Sequence, residues 1–265
     1  MRQTSSNQVR APSIFLTIDG ERKNVVKFFP PIKAQGVQEP PELYPDPRSN
    51  GHIGLIWGEM GTGKTTLVQQ AALNAVSESN KTVIFFNTHQ YPIFHRVERF
   101  LTNYPVLELT HIKIIPISSF RQLRKEASNL EYLSYLAEKG GQAISLVIVD
   151  SLTNLYTLAI GKKETAIKRN QELNEIFGIL KYVAHQRNLS VLVTAEEKFL
   201  EVENIIERKP AGGRIMNYWV DFSIKIERER VENARSLLIR MDRVSTQQKW
   251  GAILMNSGLF PTGTI

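Results

Sequence analysis

The chain has 265 residues, 42% of them apolar, enough for one sizeable core as a single large domain or a domain plus an extension. It contains no cysteine, which excludes disulfides and every Cys-based zinc or redox site. Thirty-three Lys and Arg stand against 26 Asp and Glu, a formal charge of +7 that favours polyanionic partners.

The N-terminal MRQTSSNQVR has no apolar h-region behind it, and no run of 18 apolar residues follows anywhere. The expectation is a soluble cytoplasmic chain with no membrane contact. SIFLTIDGERKNVVKFF then holds two short apolar runs around Asp19-Gly20, the pattern of a β-hairpin. Prolines in FPPIKAQGVQEPPELYPDP lack amide donors, so residues 28 to 50 are expected as an extended linker or strap. Residues 1–50 are thus set apart as an extension, and 51–265 as the core.

From Gly51 onward, strand-like apolar runs alternate with amphipathic stretches, which predicts an α/β fold with a mostly parallel sheet covered by helices. Strands are predicted at HIGLIW, TVIFF, HIKIIPI, ISLVIV, LSVLVT, DFSIKI and RSLLIRM. Helices are predicted at TTLVQQAALNAVSES, YPIFHRVERFLTNY, FRQLRKEASNLEYLSYLAEKG and KRNQELNEIFGILKYVAHQRN.

Right after the first strand stands GEMGTGKTT, residues 58 to 66, an instance of G-x-x-x-x-G-K-[ST]. Gly58, Gly61 and Gly63 let the backbone turn tightly and aim its amides at one anion, and the helix that follows adds the positive end of its dipole. Lys64 can reach the β and γ phosphates, and the Thr65 hydroxyl can ligate Mg²⁺. Glu59, Met60, Thr62 and Thr66 complete the loop, with Met60 and Thr62 in variable slots. The position between a predicted strand and a predicted helix separates this loop from a chance glycine-rich turn.

VIFFNTHQ, the second strand, stops at Asn87, Thr88, His89 and Gln90 beside that loop. AISLVIVDS ends in Asp150, and a carboxylate at the carboxyl end of a parallel strand faces the ligand crevice. It can hold Mg²⁺ through water opposite Thr65, a reading the phosphate loop favours over a helix cap.

In their order, GEMGTGKTTL, VIFFNTHQ, LVIVDSLTNLY, RNQELNEIFGILKYVAHQRNLSVLVTAE, KPAGGRIMNYWVDFSIKIE and RSLLIRMDRVS make this chain resemble the RecA/RadA recombinase superfamily. The likeness is closest to its archaeal RadA paralogues and KaiC-like members. Members are P-loop ATPases that bind ATP between subunits, handle DNA through two loops and form filaments or rings. The resemblance therefore implies ATP and Mg²⁺ as ligands and single-stranded DNA, a recombinase or further copies of the chain as partners. It makes Lys64 and Thr65 the phosphate and Mg²⁺ residues and Asp150 the Mg²⁺-side carboxylate. Arg96 matches an arginine that stacks on adenine, with a solvated helix-face Arg as the other reading.

Against the family, this chain departs at several places. Where recombinases read D-T-E, with a glutamate that activates water, it has Asn87, Thr88 and His89. His89 could take the proton as a base or merely bond the γ-phosphate, and slow turnover is the expectation. Glu196 stands where recombinases place a γ-phosphate-sensing Gln, as a base, a coupling residue or a surface Glu. The loop EEKFLEVENIIERKP, in the place of a second DNA-binding loop, sets five acidic residues against Lys198, Arg208 and Lys209. That is the wrong sign for phosphate contacts except near Arg208 and Lys209. The other loop, AIGKKETAIKRN, is positive through Lys162, Lys163, Lys168 and Arg169 and is the better candidate for DNA. RMDR falls where KaiC-like proteins carry cations that reach a neighbour's ATP, leaving Arg240 and Arg243 as trans contacts or as ion pairs.

No Phe-x-x-Ala strap and no helical DNA-binding domain is recognisable in residues 1–50. The expectation is an ATP-binding recombinase paralogue, slow to hydrolyse, that acts as an accessory factor in DNA repair or recombination. The alternative is a KaiC-like structural or signalling ATPase with no DNA in its cycle. A small-molecule kinase is disfavoured, because neither a lid nor an acceptor motif is apparent.

Overall fold

The computed structural model describes residues 27–28, 51–77, 81–89, 109–157, 163–202, 205–229, 236–243, 247–256 and 258–264. The strands are β1 His52–Gly58, β2 Thr82–Asn87, β3 Ile112–Pro116, β4 Ile144–Asp150, β5 Ser190–Val202, β6 Ile205–Pro210, β7 Phe222–Arg228, β8 Ser236–Arg243, β9 Gln247–Met255 and β10 Gly258–Thr264. The helices are α1 Lys64–Ser77, α2 Phe120–Lys139, α3 Leu152–Thr157, α4 Lys163–Arg187 and α5 Gly213–Trp219. No helix among the described residues is long and apolar enough to cross a membrane.

One sheet runs β10-β9-β8-β7-β1-β5-β4-β2-β3, with β6 paired to β5. From β7 to β3 all neighbours are parallel, while β7 to β10 form an antiparallel meander. Parallel strands covered on both faces need apolar residues at consecutive positions, and β1, β2 and β4 are buried along their whole length. Alternation then divides them: Ile53, Leu55 and Trp57 join α2 and α4 on one face, while Ile56 joins α1, Trp250 and Leu259 on the other. The α/β reading holds, with helices on both faces.

The helices follow their sequence cues. Ser119 caps α2 by accepting from the Gln122 amide, and Phe120, Leu123, Ala127 and Leu130 form its buried stripe. Helix α1 is anchored to the far meander, because Gln70 donates to the Leu259 carbonyl at 3.1 Å and accepts from its amide at 3.0 Å.

All seven predicted strands are present, and three of the four predicted helices. The fourth, YPIFHRVERFLTNY, lies outside the described residues. The hairpin and strap expected over residues 1–50 also lie outside them, apart from Lys27 and Phe28. Phe28 is 2% exposed in the core against α1, and Asn74 donates to the Lys27 carbonyl at 2.7 Å.

Two expected loops are regular structure instead. EEKFLEVENIIERKP continues β5 to Val202 and returns as β6, making an antiparallel arm in which Phe199 faces Arg208 and Glu201 faces Ile206. Its apolar and β-branched residues sit in two runs flanking Glu203-Asn204, and strand pairing satisfies the backbone there whatever the side-chain charge. In AIGKKETAIKRN, residues from Lys163 onward form the first turns of α4, where Glu, Ala and Lys favour helix. Helices α3 and α5 and strands β9 and β10 were not anticipated.

Candidate nucleotide-binding site

The phosphate loop joins β1 to α1, and its backbone explains its glycines. Gly58 has φ +152°, and a Cβ there would lie 2.2 Å from the Ile226 carbonyl oxygen on β7. At Gly61, φ +79°, a Cβ would sit 2.7 Å from the Arg228 guanidinium. Buried Thr62 donates its hydroxyl to the Glu59 carbonyl at 2.9 Å and tightens the turn.

Lys64 folds back on this loop, donating to the carbonyls of Gly58 at 3.0 Å and Glu59 at 2.7 Å. Burial lowers its pKa below the ordinary lysine value, while Glu196, Asp150, Glu197 and Glu59 pull in the other direction. An ammonium hydrogen-bonded to two loop carbonyls can exchange them for an anion.

Strand β5 lies between β1 and β4, so residues of four strands come together beside the loop: Gly58 of β1 is level with Glu196 of β5, and Asn87 of β2 with Asp150 of β4. Asp150 is 1% exposed. Thr194 donates its hydroxyl to Asp150 Oδ1, whereas Oδ2 is buried without a hydrogen-bond partner among the described residues. A buried carboxylate oxygen left open is the donor that a hydrated divalent cation requires, so the residues present fit Mg²⁺ beside a bound phosphate.

The stop at Asn87 to His89 is tied to the backbone at the end of the same strand. Thr88 donates its amide to the Asp150 carbonyl at 2.9 Å and its hydroxyl to the Ser151 carbonyl at 2.7 Å, and it accepts from the Ser151 amide at 2.8 Å. The peptide bond between Asp150 and Ser151 is cis. His89 donates its amide to Asn87 Oδ1 at 2.8 Å, and its ring Nδ1 meets Asn154 Nδ2 at 2.9 Å. With the Asn154 amide donating, Nδ1 accepts and the ring proton sits on Nε2, 3.6 Å from Asp150 Oδ1.

Glu196 is half-buried, its backbone clamped between two elements: its amide donates to Thr153 Oγ1 at 2.7 Å and its carbonyl accepts from Ala211 at 2.8 Å. The structure thus brings together Lys64, Asp150, His89 and Glu196, with Thr65 and Thr66 in the first turn of α1.

The remaining candidates are placed elsewhere. Arg96 and Lys162 lie outside the described residues. Lys163 and Lys168 are on the first turns of α4, Lys168 exposed, while Arg169 pairs with Glu172 at 2.5 Å and covers the Phe120 ring. On β6, Arg208 pairs with Glu59 at 3.3 Å and Glu197 at 3.7 Å, and Lys209 pairs with Glu207. Arg240 pairs with Glu227 at 3.2 Å. Arg243 is level with Phe222, where β7 begins, at the end of the sheet away from the phosphate loop.

Sequence reasoning passed over Thr194, Asn154, Glu197 and Lys225. Only Thr194 carried a local signal, since it is two residues from Glu196 and shares its strand face.

Comparison with known proteins matches residues 46–250 to the model of the family described as ATPase: KaiC. The chain belongs to the KaiC ATPase family. This KaiC-family chain is 31% identical over 196 residues to "DNA repair and recombination protein RadB" of Methanococcus maripaludis, covering 72% of the chain and 82% of the relative. RadB of Methanobrevibacter smithii is 25% identical over 195 residues, covering 73% and 80%. "DNA repair and recombination protein RadA" of Methanoculleus marisnigri is 26% identical over 201 residues, covering 67% of the chain and 59% of that protein. The chain is thereby a RadB-like member of the RecA/RadA superfamily, and membership in this ATPase family implies nucleotide binding.

Proposed function

We propose that this RadB-like chain binds ATP with Mg²⁺, hydrolyses it slowly, and serves as a nucleotide-dependent accessory factor in DNA repair or recombination. The observation that carries the reading is the open, buried Oδ2 of Asp150 beside a phosphate loop whose lysine rests on carbonyls. In this reading Lys64 contacts the phosphates, Thr65 and Asp150 hold Mg²⁺, and Arg96 covers adenine. When bound, the ion offsets charge on the phosphates. Glu196 senses the γ-phosphate from its clamp on Thr153 and Ala211.

Slow turnover rests on His89. A general base contributes ~10²- to 10⁴-fold, and His89 presents one ring nitrogen to Asn154 and the other toward Asp150, an arrangement suited to bonding phosphate rather than to deprotonating water. The repair and recombination role is supported by the printed names of the RadB and RadA relatives. Single-stranded DNA is assigned to Lys162, Lys163 and Lys168, with Arg169, Arg208 and Lys209 at the margins. Arg243 is kept as the candidate contact to a second copy; its backbone lies level with Phe222, at the end of the sheet away from the phosphate loop.

The test is a gel shift with single-stranded DNA at low and moderate salt, run beside ATP hydrolysis, for the wild-type chain, Lys64→Ala and a Lys162/Lys163/Lys168→Ala triple variant. Loss of DNA binding in the triple variant alone supports the reading. Binding that ignores those charges defeats its DNA part.

A second reading, a structural or signalling ATPase without DNA, is favoured by one observation. Two of the three cations of the β5–β6 arm, Arg208 and Lys209, are already paired with glutamates. The same gel shift decides between the two.

A further inference from the structure

The side chains that link the phosphate loop to the β5–β6 arm form a continuous ion-pair chain outside the catalytic cluster. Glu59, in the loop, carries Arg208 of β6 at 3.3 Å. Arg208 also faces Glu197 at 3.7 Å and stacks 5.4 Å over Phe199. Glu197, 2% exposed, meets Lys225 at 3.2 Å, and Lys225 sits 2.6 Å from Glu227 and 4.8 Å over the Trp57 ring. Arg240 closes the chain on Glu227 at 3.2 Å.

Two physical features make this chain responsive rather than decorative. A buried carboxylate such as Glu197 is tolerated only while its cations stay in place, so displacement at one end is felt along the pairs. The backbone carbonyl of Glu59 is also one of the two acceptors holding Lys64. An anion that draws the Lys64 ammonium away releases that carbonyl, and the same residue's side chain holds Arg208. A cavity of about 420 Å³, lined in part by Glu59, Glu197, Arg208, Glu227 and Arg228, leaves the Arg208 side chain room to move.

We propose that Arg208 is a positioning residue that ties the β5–β6 arm to the occupancy of the phosphate loop, through Glu59 on one side and Glu197 on the other. The inference rests on the nucleotide reading above and adds a distinct trigger. Because the linkage begins at the Lys64 and Glu59 contact rather than at Glu196, a diphosphate suffices to move the arm, and a γ-phosphate is not required.

The chain contains no cysteine, so a single cysteine at exposed Ile206 takes an environment-sensitive fluorophore at one site. The labelled full chain is titrated with MgADP and with MgATP, and binding of each nucleotide is measured separately by calorimetry. The expected result is an equal change of the label signal with both nucleotides. Glu197→Gln and Arg208→Met each shrink that change at least about five-fold at saturating nucleotide, and Arg208→Lys retains part of it. Arg208 is 40% exposed, so Arg208→Met keeps the test alive should Glu197→Gln fail to fold. An arm that responds to MgATP alone, or whose response survives both substitutions, overturns the inference. A chain that binds neither nucleotide sinks the underlying reading as well, and calorimetry separates that case from an arm that ignores bound nucleotide.

Discussion

Thr194 donates its hydroxyl to Oδ1 of Asp150, and the other carboxylate oxygen is buried without a hydrogen-bond partner among the described residues. The pair fixes which oxygen of Asp150 is spent inside the protein and which is available to an ion. Thr194→Val keeps the volume and removes the donor. Loss of such an orienting partner typically costs ~10- to 100-fold in metal affinity, so the Mg²⁺ concentration for half-maximal nucleotide binding is expected to rise by about that factor. A Mg²⁺ titration at fixed nucleotide reads it, and an unchanged midpoint would remove Thr194 from this role.

Lys64 supplies a pH-dependent prediction. Its pKa in the fold is lowered from 10.5 by burial, so the folded chain binds the proton less well than the unfolded chain. The cost of burying the cation is fully present below the lowered pKa. It is relieved as pH rises from there toward the ordinary lysine value. Lys64→Met is therefore expected to raise the thermal midpoint of the nucleotide-free protein at about pH 7, with the advantage shrinking by about pH 10. The same variant should lose the stabilisation of about 2.7 kcal/mol that a ligand at 100-fold its Kd confers on the wild type.

His89→Ala distinguishes a phosphate contact from a base. The expected fall in ATP hydrolysis is smaller than about ten-fold, below the ~10²-fold floor for a positioned general base. Single-turnover hydrolysis measures it, and a larger loss would restore His89 to the base's role.

Phe28 supplies a stability prediction. It is 2% exposed among Leu67, Val68 and Ala71 of α1 and their neighbours, at a place joined to Asn74 through the Lys27 carbonyl. Phe28→Ala is expected to cost about 3 kcal/mol, in line with aromatic truncation in a core. Urea unfolding checks it, and a loss under about 1 kcal/mol would mean that the site collapses without penalty.

The α4 cations should separate by role. Lys168 is exposed, whereas Arg169 is committed to Glu172 and Phe120. Lys168→Ala is expected to weaken single-stranded DNA binding and flatten its salt dependence by roughly 0.7 in log–log slope per lost phosphate contact. Arg169→Ala should instead lower stability, by about 1 kcal/mol for an ion pair with a ring contact. Fluorescence anisotropy across salt, with a melt of each variant, separates the two.

Strand and helix periods, the glycine spacing at 58, 61 and 63, and an aspartate closing an apolar run made most of the fold and the core of the site legible in the sequence. Each is a short-range pattern imposed by backbone geometry, so neighbours in the chain suffice to read it. The arm was misread as a loop, because its acidic residues drew attention to charge while the pairing of β5 with β6 satisfied the backbone. The partners of Arg208, Arg240 and Arg169 were beyond reach of the sequence. Glu59 and Arg208 are far apart in the chain and meet only because β5 runs between β1 and β4 and carries β6 back across the loop. Likewise, the position of Thr194 two residues before Glu196 hinted at a place near the site but not that its hydroxyl would occupy one oxygen of Asp150. The sequence determined which groups stand as candidates for phosphate and metal; strand order decided which charges are paired within the fold, since Coulomb and hydrogen-bond energies depend on distances that only the fold sets.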